Sequence, residues 1–134
     1  MKKLILIPFL TCTLSAFSQK YATIDLVKAK AEFEKEALFF YEQNWKAFRE
    51  EALKKKVISG YKMYRSAADS TGYFDITLIT EYKNVEAHAF SEEKFRPIMK
   101  KVSPNGPKYL NEVKREQFLK YVAGAEGTEV YKKP

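Results

Sequence analysis

The sequence predicts an α+β domain whose elements follow the order strand, helix, strand, strand, helix, strand. Residues 57–82 alternate between apolar and polar positions, as two strands do, and a polar loop divides them. A long helical pattern precedes this hairpin and a second one follows it. A shorter strand pattern lies at each end of the domain, which completes the order βαββαβ.

The central hairpin has the clearest pattern. One face of its second strand consists of Phe74, Ile76, Leu78, Thr80 and Tyr82. In its first strand, residues 57–65, one face consists of Val57, Ser59, Tyr61, Met63 and Arg65. Residues 67–72 are the predicted connection. Because an isolated hairpin is at best marginally stable, helices are expected to cover its apolar face.

The first helix is predicted over residues 28–56, after a short strand at residues 21–27. Its apolar stripe consists of Phe33, Ala37, Tyr41, Asn44, Phe48 and Ala52, broadened by Leu38, Phe40 and Trp45. The opposite face, predicted to meet solvent, carries Glu34, Glu42, Lys46, Arg49 and Glu50. Neither Gly nor Pro interrupts this run, so a single helix of about seven turns is expected.

The remaining elements follow the hairpin. Asn84 is a predicted helix cap, and the second helix covers residues 85–101, with a capping-box restart at Ser91 and a bend at Pro97. A loop is expected at residues 103–107, a helical turn at 109–113 and the last strand within 115–123.

This order defines the split-βαβ, ferredoxin-like layout, a four-stranded antiparallel sheet with two helices on one face. The other face carries Tyr and Thr side chains that would be costly to expose as a continuous patch. We therefore expect a homodimer that forms through the sheet.

The first 18 residues have the three parts of a secretory signal. Lys2 and Lys3 precede an apolar run at residues 4–14, and Ala16 and Ser18 occupy the −3 and −1 positions of a cleavage site. Cleavage before Gln19 predicts a secreted or periplasmic protein, with lipidation at Cys12 as the alternative. The run is too short to span a bilayer, so no stable membrane insertion is expected.

The predicted mature chain has 116 residues, with one domain at residues 19–124 and a polar tail at 125–134. Its formal charge falls from +7 to +5 when Lys2 and Lys3 are removed, and this diffuse excess does not indicate a nucleic-acid partner. Cys12, the only cysteine, leaves with the signal, which excludes thiol catalysis and cysteine-ligated metals in the mature protein.

Several segments carry a family resemblance. Asn44-Trp45-Lys46, VISGYKMYR at residues 57–65 and YFDITLITEY at 73–82 resemble secreted, uncharacterised bacterial members of the dimeric α/β-barrel superfamily. The resemblance covers residues 21–122 and implies a ferredoxin-like fold and face-to-face dimers. That superfamily includes cofactor-independent monooxygenases, haem-degrading enzymes, stress-response proteins and chlorite-dismutase-like proteins. Such relatives often have a histidine near the positions of Phe48 and Arg49, which this chain lacks, and no activity is transferred.

The candidate ligand-binding cleft consists of Asn44, Trp45, Tyr61, Tyr64, Arg65 and His88. Asn44 stands out because it interrupts an apolar stripe, and a buried amide needs hydrogen-bond partners. Tyr61, Tyr64 or Arg65 are the expected partners. His88 is the only histidine in the chain, and a lone helical histidine is more often a packing residue than a base or ligand.

No cofactor and no metal site are expected. The carboxylates Asp25, Asp75 and Glu116 lie on three predicted strands, but their spacing does not require them to meet. Phosphate-binding loops, nucleophile elbows and zinc-protease motifs are missing from the sequence.

The leading functional hypothesis is a non-enzymatic secreted homodimer that binds a small apolar or aromatic ligand between helices and sheet. The alternative is a monooxygenase-like or haem-handling enzyme that uses the same cleft, with Asn44, Trp45 and His88 near the substrate.

Overall fold

A computed structural model of the protein describes residues 19–130. The predicted signal peptide, Cys12 and residues 131–134 of the predicted tail lie outside this range. The strands are β1 (Tyr21–Lys30), β2 (Gly60–Arg65), β3 (Tyr73–Tyr82) and β4 (Leu119–Thr128). The helices are α1 (Glu34–Phe40), α2 (Ala47–Lys54), α3 (Val85–Ala89), α4 (Ser91–Val102) and α5 (Arg115–Phe118). No helix within residues 19–130 is long and apolar enough to cross a membrane.

The four strands form one antiparallel sheet in the order β2-β3-β1-β4. The predicted α+β class with its four-stranded antiparallel sheet is therefore confirmed. In β3, the side chains of Phe74, Ile76, Leu78, Thr80 and Tyr82 are all buried, as their alternation predicts. Val27 and Ala29 of β1 pair with Ile76 and Phe74 and extend this buried face.

The helices cover that face in two adjoining core clusters. In the first, Phe40 and Trp45 pack with Phe74, Ile76 and Phe118. In the second, Ala52 of α2 and Ile98 of α4 pack with Tyr82. Since each cluster combines helical residues with buried residues of β3, the helical layer lies on one side of the sheet.

The predicted first helix begins later than expected and is not α-helical throughout. Strand β1 continues to Lys30, where it still pairs with Tyr73, and a 3₁₀ turn (Ala31–Phe33) leads into α1. A π-helical segment (Tyr41–Lys46) joins α1 to α2. We call residues 31–54 the long helix. The apolar spacing of this segment favours a regular α-helix locally. Packing against the sheet favours the wider π-helical turns in its middle instead.

The start of the hairpin also differs from the prediction. Strand β2 begins at Gly60, whereas Val57 and Ile58 are buried in the turn that follows α2. Lys56 adopts a left-handed φ of 57°, and the Val57 N–H donates to the Ala52 carbonyl at 2.9 Å. The apolar pair therefore closes the helix end rather than extending the strand.

The second helical segment has the predicted position and the predicted first cap, but not the predicted capping-box restart. The Asn84 Oδ1 atom accepts the Ala87 N–H at 2.8 Å, which confirms the predicted cap. The helix divides into α3 and α4. The predicted capping box at Ser91 is wrong, because Ser91 is the first helical residue of α4 and the position before it, Phe90, provides no side-chain cap. Pro97 lies inside α4.

The C-terminal prediction is partly wrong. Residues 109–113 are not helical, and residues 115–118 form α5 instead of the start of the last strand. The backbone of Lys114 donates to the Gln117 side chain at 2.7 Å and fixes the start of α5. Strand β4 continues to Thr128, inside the predicted tail, because its backbone pairs with β1 as far as Tyr21. Its small residues give no apolar alternation that would indicate a strand.

The loop between β2 and β3 is organised by Asp69. Its Oδ1 atom accepts the Thr71 hydroxyl at 2.5 Å and the N–H groups of Thr71 at 2.8 Å and Tyr73 at 3.2 Å. Lys28 lies 3.2 Å from its Oδ2 atom. The Thr71 hydroxyl and then the Tyr73 N–H hold the pKa of the Asp69 carboxyl well below its usual range.

This lowered pKa predicts a stability contribution that is present above about pH 4, the unfolded-state pKa of Asp, and lost as the pH falls towards the folded-state pKa. The Asp69→Ala variant should therefore unfold at a lower urea concentration than the wild type at pH 6, with a smaller difference at pH 2.5. Asp69→Asn, which keeps an oxygen acceptor, should lose less at pH 6. Equal wild-type and Asp69→Ala midpoints at pH 6 would contradict this role.

Candidate functional site

A cleft of about 340 Å³ lies between the long helix and the sheet. The sheet contributes Asp25, Val27, Leu78 and Tyr121. The long helix contributes Phe40, Tyr41, Asn44, Trp45, Phe48 and Arg49, and α4 and α5 add Met99 and Arg115. We call this space the helix–sheet cleft. Its volume lies in the range of small-molecule sites, about 300–1,000 Å³.

The π-helical segment explains why so many residues of one helix line the cleft. The lining residues of the long helix fall into two series with a spacing of four, namely 40, 44, 48 and 41, 45, 49. An α-helical turn takes about 3.6 residues, so a spacing of four drifts around a regular helix. The wider turn of the π-helical segment opposes this drift and keeps both series towards the sheet.

Asn44 is buried, with 4% of its surface exposed, and all of its hydrogen-bond partners are backbone groups. Its Nδ2 atom donates to the Phe40 carbonyl at 2.8 Å and to the Lys108 carbonyl at 2.9 Å. The Lys108 N–H donates to Asn44 Oδ1 at 2.8 Å. The prediction that Tyr61, Tyr64 or Arg65 supplies these partners is wrong, because the amide bonds to the backbone of its own helix and to that of Lys108, which follows the predicted loop.

A second cleft of about 260 Å³ adjoins the first and shares four of its lining residues, Phe40, Asn44, Phe48 and Met99. Its outer wall is the loop at residues 103–107. Since Lys108 directly follows this loop, the bonds between Asn44 and Lys108 fix the loop against the long helix.

Arg49 corrects the prediction of a solvent-facing side chain. Its Nε atom donates to Thr80 Oγ1 at 3.2 Å, and its guanidinium carbon lies 4.9 Å from the ring centres of both Trp45 and Phe95. Burial lowers the pKa of Arg49, although a guanidinium stays protonated in proteins. Among residues 19–130, no carboxylate oxygen lies within 4 Å of it.

Two further charges line the cleft. Asp25 lies on β1, and Arg115 lies on α5 with its guanidinium carbon 5.9 Å from the centre of the Phe40 ring. Burial raises the pKa of Tyr41 to about 12, while the positive charge of Arg115 acts in the opposite direction. The Tyr41 phenol is therefore protonated at neutral pH. Two guanidinium groups and one carboxylate leave the lining with a net positive charge.

Trp45 forms the aromatic wall of the cleft. It is 8% exposed and packs edge-to-face on Tyr61, with ring centres 5.7 Å apart. Its indole N–H is buried, and no acceptor for it lies among the described residues. Leaving such a donor unpaired costs about 1–3 kcal/mol, so a ligand or water oxygen that accepted from it would stabilise this wall.

The structure does not bring the six predicted site residues together. Asn44 and Trp45 line the cleft, and Tyr61 lies behind Trp45 with its hydroxyl 3.4 Å from Glu50. Tyr64 is 56% exposed and pairs with Thr77, so it lies on the opposite face of the sheet.

Arg65 and His88 are also outside the cleft. Arg65 forms an ion pair with Glu34 at 2.7 Å. The His88 ring packs against Tyr21 and Tyr82, with ring centres 4.8 and 5.0 Å away, and its Nε2 atom lies 3.5 Å from Glu126.

Five polar residues of the cleft were not among the predicted site residues: Asp25, Tyr41, Arg49, Arg115 and Tyr121. Two of them had a usable signal: Tyr41 is part of the apolar stripe, and Asp25 shares a face with Val27 in the β1 alternation. Arg49 reaches the cleft because of the π-helical segment. Arg115 and Tyr121 reach it because β4 starts only after α5. No group of three or more potential metal ligands occurs within residues 19–130.

Comparison with known proteins supports the fold. The crystal structure of a dimeric ferredoxin-like protein from an uncultured marine organism is similar, with a TM-score of 0.54 and 13% identity over 87% of this chain and 100% of that chain. A de novo designed protein is much less similar, with a TM-score of 0.36 and 11% identity over 83% of this chain and 99% of its own. No protein-family model matches the sequence. No curated protein matches it either.

Replacing Asn44 should destabilise the protein strongly. Asn44→Ala removes three hydrogen bonds, one to the buried carbonyl of Phe40 and two to the part-buried backbone of Lys108, so we expect a loss of about 2–4 kcal/mol in the free energy of unfolding. Urea denaturation followed by circular dichroism measures this change.

Asn111→Ala is the matched control, because that exposed amide makes one surface bond, to Glu36 at 2.9 Å. It should cost less than about 0.5 kcal/mol. A loss for Asn44→Ala as small as that of the control would contradict the anchoring role of Asn44.

Proposed function

We propose that the protein is a binding protein whose helix–sheet cleft accepts a small apolar or aromatic ligand. The composition of the cleft wall is the observation that supports this most. Phe40, Trp45 and Phe48 provide flat apolar surface, and the charged side chains of Asp25, Arg49 and Arg115 lie beside it. This combination in a cleft of about 340 Å³ is typical of sites for small, largely apolar molecules.

The enzyme hypothesis has less support. It placed His88 near the substrate as a base or haem ligand, whereas His88 packs against Tyr21 and Tyr82 outside the cleft. Within the described chain, the cleft offers one carboxylate and a phenol whose raised pKa disfavours proton loss at neutral pH. We therefore favour binding over catalysis.

We further propose that the protein acts as a homodimer in the periplasm or outside the cell. The sheet face away from the helices presents Ile24, which is 41% exposed, beside the half-buried Leu26 and Ile79. Apolar side chains grouped on an open sheet face favour a partner surface. The similar marine protein is itself described as dimeric. The predicted signal at residues 1–18 supports export.

Ligand binding can be tested with N-phenyl-1-naphthylamine, a neutral aromatic probe. Trp45 is the only tryptophan, so energy transfer from it to the probe reports occupancy near the cleft. Wild type should show saturable transfer. Met99→Glu should weaken binding at least about tenfold, because a carboxylate at the apolar rim must be partly desolvated.

Leu53→Glu is the matched control for this experiment. Leu53 is 42% exposed and Met99 48%, but Leu53 lies outside the cleft, so its variant should bind the probe as wild type does. Absence of saturable transfer in wild type, or equal weakening by both variants, would contradict the proposed function.

The dimer is tested separately by light scattering at micromolar concentration. We expect a wild-type dimer and an Ile24→Glu monomer with unchanged circular dichroism, because the glutamate would bury an unpaired charge in the interface. Leu53→Glu, on the helical side, should remain dimeric. A monomeric wild type would overturn the dimer.

A further inference from the structure

We infer that the ligand of the helix–sheet cleft is a small organic monocarboxylate whose anionic group is bound by Arg49 and Arg115. This inference rests on the proposed function and adds the chemical class of the ligand. It depends on three features of the cleft: the unused donors of Arg49, the excess positive charge and the complete occupation of the Asn44 amide.

Two aromatic rings and one hydroxyl surround the guanidinium of Arg49 and leave its terminal N–H donors without a partner among the described residues. Trp45 and Phe95 lie near the guanidinium with their ring centres 4.9 Å from its carbon, and Nε donates to Thr80. A guanidinium has five N–H donors, so the four on its terminal nitrogens remain to be matched. A carboxylate accepts two parallel N–H bonds from such an edge, which makes it the best-fitting partner.

The protein does not supply that carboxylate from the residues described. Asp25 lines the same cleft but is more than 4 Å from the guanidinium nitrogens of both Arg49 and Arg115. A partly buried cation without a close counter-ion favours an anion from outside. Because Asp25 offsets one of the two positive charges, a monoanion matches the cleft better than a dianion.

The neutral polar groups of the cleft, Asn44 and Tyr41, further limit how a ligand can be bound. Both hydrogens of the Asn44 amide are used by the carbonyls of Phe40 and Lys108, and its oxygen accepts the Lys108 N–H, so Asn44 acts as a positioning residue. The Tyr41 phenol, protonated at neutral pH, remains a donor. Phe48 and Met99 are left to contact the apolar body of the ligand.

Calorimetry with a pair of probes of equal shape tests the inference. Wild type should bind 2-naphthoate at least about tenfold more tightly than the neutral 2-naphthamide, since hydrogen bonds to charged groups are worth more than neutral ones. Arg115→Gln should weaken the binding of 2-naphthoate about tenfold and that of 2-naphthamide by much less, because only the carboxylate loses a bond between two charged groups. Arg115 is exposed, so the substitution should not disturb folding. Arg49→Gln should have the same selective effect.

Arg96→Gln removes an equal charge from the exposed surface of α4, outside the cleft, and should bind both probes as wild type does. Equal affinity for the two probes, no binding of 2-naphthoate, or equal losses in Arg115→Gln and Arg96→Gln would each overturn the inference. N-Phenyl-1-naphthylamine has no charge, so its binding would still support the proposed function after such a failure.

Discussion

The buried amide of Asn44 imposes the constraint on which the candidate site depends. It joins the long helix to a segment 64 residues further along the chain, through one carbonyl and one N–H of Lys108. Residues 103–114 contain no helix or strand, so their position depends on such contacts. The same amide also donates a hydrogen bond to the carbonyl of Phe40. One side chain thereby fixes both walls of the space between helix and loop.

The π-helical segment has a second consequence, which is electrostatic. By keeping residues spaced by four towards the sheet, it draws Arg49 from the solvent side to Thr80 and between two aromatic rings. The cleft therefore holds a partly buried cation whose desolvation is offset mainly by ring faces and one hydroxyl. A regular α-helix would keep the predicted stripe, with Asn44 in it, towards the sheet and would leave Arg49 on the solvent side. The π-helical segment is therefore also the reason why a charged side chain lines the cleft.

Much of the fold could be predicted from the sequence because it depends on local periodicity. The alternation in residues 73–82 predicted the buried face of β3, and Asn84 predicted the start of α3. The site was less predictable. Assuming about 3.6 residues per turn places Arg49 towards solvent, and only packing reveals the wider turn. The Ala and Gly residues of β4 carry no pattern, and its backbone pairing with β1 is non-local. The side chains of His88 and Arg65 are of types that often bind ligands. Their positions outside the cleft are set by tertiary packing, which the sequence pattern does not show.

The anchoring of residues 103–108 by Asn44 is tested most directly by the exchange of one backbone amide hydrogen, followed by NMR. In wild type, the amide of Lys108 should exchange far more slowly than in an unstructured peptide, although it lies outside any helix or strand. In Asn44→Ala, it should lose this protection while the central amides of β1 keep theirs. Exchange of the Lys108 amide at the unstructured rate in wild type would contradict the account.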